Sequence, residues 1–547
     1  MKIYLTLLLL IELLVGSTGS LFGHIRDAST HQPLIGVNVM VKGTSMGAAT
    51  DQFGNFILDD VAVGSYTIYV TMIGYKSVNR SNVHVVPKRT TTINFSLNQS
   101  ILEGDGVEVT ATYFENMKDA VTSSRTVDIE EIRSDPVGSY DIMTMMQALP
   151  SVVSGSDQSN EIIVRGGSHG ENLFVMDFLE IPYPNHYPEQ GKGGGPITMV
   201  DTEFIERIDF YAGAFPARYG EKLSSVMDVT LREGNNHSHH QQMDINMAGF
   251  GFTFEGPLSP KSSYLYSLKR SFLDFVISST GMQAIPEYWS SQGKIAYHLS
   301  PTQKIYINFI GGIDEINIEG EDNPQLRGAE NVDYSSWQTT LGVTYKNLFS
   351  KKGYFQSSIG RSLVHLNTNV YELNDNPTRN YYYRNNDLES DYSFRSEVVY
   401  KLFDNVEISS GLSAKHVELD FDNWYKNNPT YIYGYSLSES EIPQLITKVK
   451  FDTTYFGKQY FYTIIDSVGT LDTLKTNALL EYNKVGGFFH FNLNPLQRVE
   501  ISIGGRFDYM TFTDESDFSP RFGFKYHISP IWKFNLSAGR YFQAPFN

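Results

Sequence analysis

The chain has 547 residues, more than one ordinary domain holds unless part of it is a very large sheet or barrel. A formal net charge of -18 argues against a nucleic-acid partner, which needs a cationic face, and the lack of cysteine removes disulfides, thiolate metal sites, a catalytic cysteine and a lipid-modified one. Aromatic residues at 14%, with 35 Tyr and 35 Phe against 4 Trp, together with 45 Gly and 21 Pro, favour an all-β chain.

The first element is "MKIYLTLLLLIELLVGSTGS", in which Lys2 precedes a short apolar run and small residues offer a cut near Ser20. The run is shorter than the roughly 20 residues that span a bilayer, so residues 1–20 read as a cleaved export signal. No later stretch is long and apolar enough for a membrane helix, so any insertion must use strands. Residues 21–98 alternate short apolar runs with turn signals such as Asp51-Gln52-Phe53-Gly54, the pattern of a small β-sandwich. Through Gly23, Asp27, "QPLIGVNV", "TDQFGNF", "GSY" and Gly74-Tyr75 this stretch resembles the carboxypeptidase regulatory-like domain. That resemblance implies a non-catalytic, immunoglobulin-like accessory fold.

Residues 99–116 read as a linker in which "VEVTA" (Val107, Glu108, Val109, Thr110 and Ala111) is an isolated strand-forming run. A lone strand leaves backbone groups open on both edges, so it is either an ordinary linker run or a donor for another protein's sheet edge.

Residues 117–236 mix short helices and strands. "VGSYDIMTMMQALPSV" places apolar residues at helical spacing until Pro150 stops it. In "EIIVRGGSHGENLFVMDFLEIP" the glycine pair would suit a phosphate-binding loop only if a helix followed, and strand-spaced β-branched and aromatic residues follow instead. The order "ALPSV", "EIIVRGG", "NLFVMDFLEIP", "IERIDFYAGAFPARYG", "SSVMDVTLREG" resembles the plug domain of TonB-dependent receptors. On that resemblance Arg165-Gly166-Gly167 is a tight corner in a globular stopper. Arg165 and Arg207 are expected to latch onto carboxylates of a surrounding wall, and "VEVTA" becomes the segment that TonB grips. The loop "NHYPEQGKGGGP" is expected to face the extracellular vestibule, with His186 and Tyr187 able to touch a ligand.

From 237 to 547 the pattern is uniform. "RFGFKYHI" sets Phe522, Phe524, Tyr526 and Ile528 on one face and Arg521, Gly523, Lys525 and His527 on the other, and "KFNLSA" repeats the alternation. Short connectors at "PLSPKSS", "LSPTQ", "FSKKG", "LFDN", "NPLQ" and "SPIW" alternate with long polar loops such as 421–477, the asymmetry of a transmembrane antiparallel β-barrel. A soluble sandwich also alternates, but several runs here persist for about ten residues, the length that crosses a bilayer at a tilt. Six short turns and the "MDINM" segment imply roughly thirteen strands, against about 22 in plugged transporters. The expectation is a receptor lacking the C-terminal part of its barrel.

Other chemistries compete weakly. His237, His239 and His240 could bind a metal, but they sit in a polar connector without a carboxylate at ligand spacing. His186 and Glu189 match the H-x-x-E pair of zinc peptidases, yet Pro188 separates them in a loop. No resident metal, cofactor or catalytic residue is expected. The resemblance implies an outer-membrane barrel with its N-terminal domain in the periplasm. Its partners would be TonB of the TonB-ExbB-ExbD complex, outer-membrane lipid, and a small extracellular ligand such as a ferric siderophore.

Overall fold

In the computed structural model the chain is described over residues 18–97, 124–272, 284–318, 331–436 and 451–544, less stretches of one to five residues within them. The export signal, apart from Thr18 to Ser20, and the 107–111 strand candidate lie outside the described residues.

The N-terminal unit is the expected sandwich, and its first strand, Thr18–Asp27, starts within the stretch read as the signal. That strand pairs antiparallel with Asn55–Ala62 and parallel with Thr90–Thr92 and Phe95–Leu97. The facing sheet runs Gly47–Ala49, Asn38–Val41, Gly64–Thr71, Val78–Val85. Period-two alternation puts Leu21, Ile25, Val39, Val41, Ile68 and Val70 between the sheets, all fully buried. The signature residues act locally. Tyr75 donates its hydroxyl to Asp27 Oδ2 at 2.9 Å, and Asp51 Oδ1 accepts from the amides of Phe53 and Asn55 at 2.8 Å.

The plug is a five-stranded mixed sheet in the order Leu179–Glu180, Asn172–Met176, Ser225–Leu231, Ile205–Ala212, Ser124–Asp128. The predicted helix is real but brief, Ile142–Gln147. Asp141 caps it by accepting from Met143 N and Thr144 N, and Ile142, Met143, Met145 and Met146 turn into the core. Strand Ile162–Val164 pairs with Val152–Ser154 just before the Arg165-Gly166-Gly167 corner.

Most of the remainder, among the described residues, is an antiparallel sheet of thirteen strands, from His240–Asn246 to Lys533–Gly539, matching the number the turns imply. It is part of a barrel. Five of the short connectors form tight turns at 259–262, 300–303, 350–353, 403–406 and 496–499, and the sixth joins His527 to Lys533. The strands outrun expectation: Arg379–Phe403 has 25 residues, and Val406–Lys426 and Thr473–Leu496 extend into what reads as loop. The rest of that loop carries a separate three-stranded sheet, because its Tyr- and Phe-rich runs find partners within the loop itself.

The wall is inverted relative to a soluble protein. Gln292, Lys294, Asn308, Thr344 and Lys525 are buried inside it, while Leu341, Ile359, Leu412, Phe522 and Leu536 are 42–66% exposed on its outside. An outward apolar face with polar residues inside is stable only when lipid covers the outside. No helix among the described residues is long and apolar enough to cross a membrane.

Candidate functional site

The candidate functional surface is the contact between plug and wall. Within the plug lies the glycine corner, where the strand Ile162–Val164 must reverse: Gly166 has φ +79° and Arg165 itself φ +52°. A Cβ on Gly167 would lie 1.7 Å from Ser224 Oγ, so the corner packs directly against the start of strand Ser225–Leu231. The corner is therefore structural, and no phosphate cradle is built there.

Of the two arginines expected as latches, Arg207 pairs within the plug. Arg165 is exposed, with its guanidinium beside Gly213 of the plug. Arg207 Nε lies 3.0 Å from Asp209 Oδ2 on its own strand, and half of its side chain is exposed. The pairs that join plug to wall mostly have the opposite polarity, with carboxylates on the plug and lysines on the wall. Asp177 meets Lys294 at 2.7 Å, Glu180 meets Lys415 at 2.6 Å, Asp201 meets Lys269 at 3.1 Å and Glu221 meets Lys484 at 3.1 Å. Glu233 takes both Lys304 and His298, at 2.8 and 2.7 Å. Among the described residues Arg218 with Glu397 at 3.5 Å and Arg232 with Glu255 at 2.5 Å keep the anticipated polarity. Burial alone would raise the Glu180 carboxyl, but Lys415 brings it down to about 2, so this latch is ionised at any physiological pH.

Backbone groups of the plug are also gripped. Wall residue Arg395 donates to Arg218 O at 2.9 Å, and Arg521 donates to Phe215 O at 2.9 Å and also to Pro216 O. Thr344 and Ser358 donate to the carbonyls of Asp177 and Phe178, both at 3.0 Å, where the plug hairpin turns with φ +48° and +74°. Inward-facing Lys and Arg within alternating strands were the sequence signal for these contacts.

The expectation that His186 and Tyr187 face the vestibule is corrected by their burial, 0% and 6% exposed. Wall residue Asp314 draws both inward: His186 Nδ1 lies 2.5 Å from its Oδ1, and the Tyr187 amide donates to its Oδ2 at 3.0 Å. Gln338 and Tyr334 complete the seam, donating to Asn185 O and Pro188 O at 2.7 Å. His186 is thus committed to Asp314, whereas Glu189 is exposed, so the two do not converge as a zinc pair. Among the described residues no three His, Asp or Glu side chains are grouped for a metal. His237 lies outside them, and His239 and His240 turn to Tyr264 and Ser238.

Between plug and wall lies a cavity of about 130 Å³, lined among others by Glu180, Tyr183 and Lys222 of the plug and Glu389, Asp391 and Lys415 of the wall. At the opposite, short-turn end the N-terminal sandwich docks. Arg89 Nη1 reaches Glu203 of the plug at 2.6 Å and Gln242 of the wall at 2.8 Å.

Comparisons agree with this architecture. Residues 21–109 match the model of the CarboxypepD_reg-like domain, 116–226 that of the TonB-dependent receptor plug domain, and 288–547 that of the TonB dependent receptor-like beta-barrel. The chain is 24% identical over 233 residues to the TonB-dependent transporter Oar of Myxococcus xanthus, covering 41% of this chain and 21% of that protein. It is 28% identical over 227 residues to the TonB-dependent receptor SusC of Bacteroides thetaiotaomicron, covering 39% and 21%. The matched stretches thus span about a fifth of these relatives. The fold also matches the crystal structure of the siderophore receptor PirA from Acinetobacter baumannii, with a TM-score of 0.53 at 17% identity over 78% of this chain and 62% of that one.

Proposed function

The chain belongs to the TonB-dependent receptor family of the bacterial outer membrane, and from that premise we propose that the whole protein imports a small extracellular ligand, a ferric siderophore or similar metal chelate, into the periplasm. The observation that carries this reading is the nature of the plug–wall contact. It includes separate ion pairs such as Glu180–Lys415 and Asp177–Lys294, each able to be exchanged for water or ligand as the plug shifts. A plug fixed only by an apolar core would open at far greater cost.

The energy enters at the other end. The 107–111 run, placed between sandwich and plug, is the strand that TonB of the TonB-ExbB-ExbD complex adds to its own sheet, and backbone pairing gives a grip largely independent of side chains. The sandwich docks on the short-turn side of the wall, which is the periplasmic side in outer-membrane barrels, and this supports a periplasmic position for the 107–111 run. The siderophore assignment rests on the family resemblance and on the fold shared with PirA.

The test is Val109→Pro in the full-length receptor, which removes one backbone donor and disfavours extended pairing before it. Uptake of radio-iron from a panel of ferric siderophores should be lost while surface binding is retained. Normal uptake by the variant would overturn the proposal.

A further inference from the structure

The cavity between plug and wall is charged but not balanced. Glu389 and Asp391 stand two positions apart on strand Arg379–Phe403, so both point inward, about 7 Å apart, and they are only 6% and 7% exposed. Glu389 Oε2 accepts from Tyr183 at 3.0 Å, but its Oε1 has no hydrogen-bond partner, nor has Asp391 Oδ1. Among the described residues no cation lies within ion-pair distance of Glu389. The nearby lysines are committed. Lys415 sits 2.6 Å from Glu180 and only 3.6 Å from Asp391, Lys484 pairs with Glu221, and Lys222 donates to Gly170 O at 2.7 Å. On the C-terminal side Gln543 adds another open acceptor, its Oε1.

A buried carboxylate without a cation is costly unless it takes up a proton or something supplies a cation. Every open atom named above is an acceptor, so the complement is a group that only donates. Ammonium and guanidinium fit that description, a hydroxyl brings lone pairs of its own, and an anion would be repelled. We infer that the plug–wall cavity is a binding site for an organic nitrogen cation, held between Glu389 and Asp391. The volume of about 130 Å³ holds a head group with a few carbons, so the cavity takes a small amine or one cationic arm of a larger ligand. The inference deepens the import reading and rests on it for physiological meaning, since a cation beside Asp391 competes with Lys415 and so loosens the Glu180 latch. Binding itself needs no TonB and is measured separately from uptake.

The experiment is calorimetric titration of the full-length receptor in detergent with butylammonium, 1-butanol and butyrate, three probes of similar size. Butylammonium should bind with a Kd on the order of 1 mM, and the other two at least tenfold more weakly. Glu389→Gln should weaken butylammonium at least tenfold and Asp391→Asn by a smaller factor, while Glu315→Gln, on the exposed side of the wall, should leave it unchanged. Equal binding of butanol and butylammonium overturns the inference, as does unchanged affinity in Glu389→Gln. If Glu389→Gln does not fold, the wild-type comparison of the three probes decides alone. Loss of uptake in Val109→Pro with butylammonium binding intact would support both readings. Absence of butylammonium binding with TonB-dependent uptake intact would overturn this one only.

Discussion

Arg89 of the N-terminal sandwich and Glu203 of the plug are joined at 2.6 Å, and the same guanidinium stands 3.6 Å from Glu255 of the wall. Only 11% of the Arg89 side chain is exposed, so one residue from the accessory domain staples the plug to the wall at the short-turn end. Charge-assisted hydrogen bonds to a largely buried guanidinium contribute about 1.5–3 kcal/mol.

Arg89→Ala should therefore release the sandwich from the plug by about 1.5–3 kcal/mol. Hydrogen exchange of the amides in Ile205–Ala212 and Thr90–Thr92 checks it: exchange should rise in the variant, and Arg89→Lys should recover only part of the protection, because an ammonium cannot serve Glu203, Gln242 and Glu255 together.

Breaking the Asp177–Lys294 latch from one side should cost far more than removing it whole. Both side chains are under 10% exposed, so Lys294→Met strands a buried carboxylate at about 3–5 kcal/mol. The pair Asp177→Asn with Lys294→Met should regain most of this. A double-mutant cycle by urea unfolding in detergent measures the coupling, and additive losses would contradict it.

The two corner glycines should fail differently. Gly166→Ala meets open space and suffers only the left-handed backbone, about 1–2 kcal/mol. Gly167→Ala drives a methyl into Ser224 Oγ and should be the more damaging, with Ser224→Gly restoring much of the loss. Thermal unfolding of Gly166→Ala, Gly167→Ala and the Gly167→Ala, Ser224→Gly pair ranks them.

Asp209 supplies a pH dependence. Burial, countered by Arg207 and reinforced by Asp228, pushes its carboxyl up to about 6. A raised acid favours the folded state while protonated, so its contribution is complete below about 4, the unfolded value, and is lost as pH rises through about 6. Plug stability should fall by on the order of 1–3 kcal/mol across that window, and Asp209→Asn should flatten the slope. A wild-type slope of the opposite sign that persists in Asp209→Asn would refute this.

Much of the fold is legible because its period is short. Alternation in "RFGFKYHI" assigns Phe522 outward and Lys525 inward without any tertiary knowledge, and the turn motifs count the strands. The sandwich is equally local, as Asp51 turning the chain at Phe53 shows. The latches were hidden because each joins two separate elements of the chain, Glu180 and Lys415 being 235 positions apart. Nothing near Arg207 in sequence reveals that its own Asp209 satisfies it, and nothing near His186 names Asp314. The length of Arg379–Phe403 was missed because polar residues above the lipid lose the alternation while backbone pairing continues.

That length has its own meaning at the cell surface. A strand of 25 residues, tilted as barrel strands are, stands about 60 Å tall, while the greasy belt of such a wall needs only about 25 Å. The excess is a chimney of hydrogen-bonded ribbon rising over the lipopolysaccharide side. The upper ends of the wall strands are thus tied to one another by backbone hydrogen bonds well beyond the apolar belt.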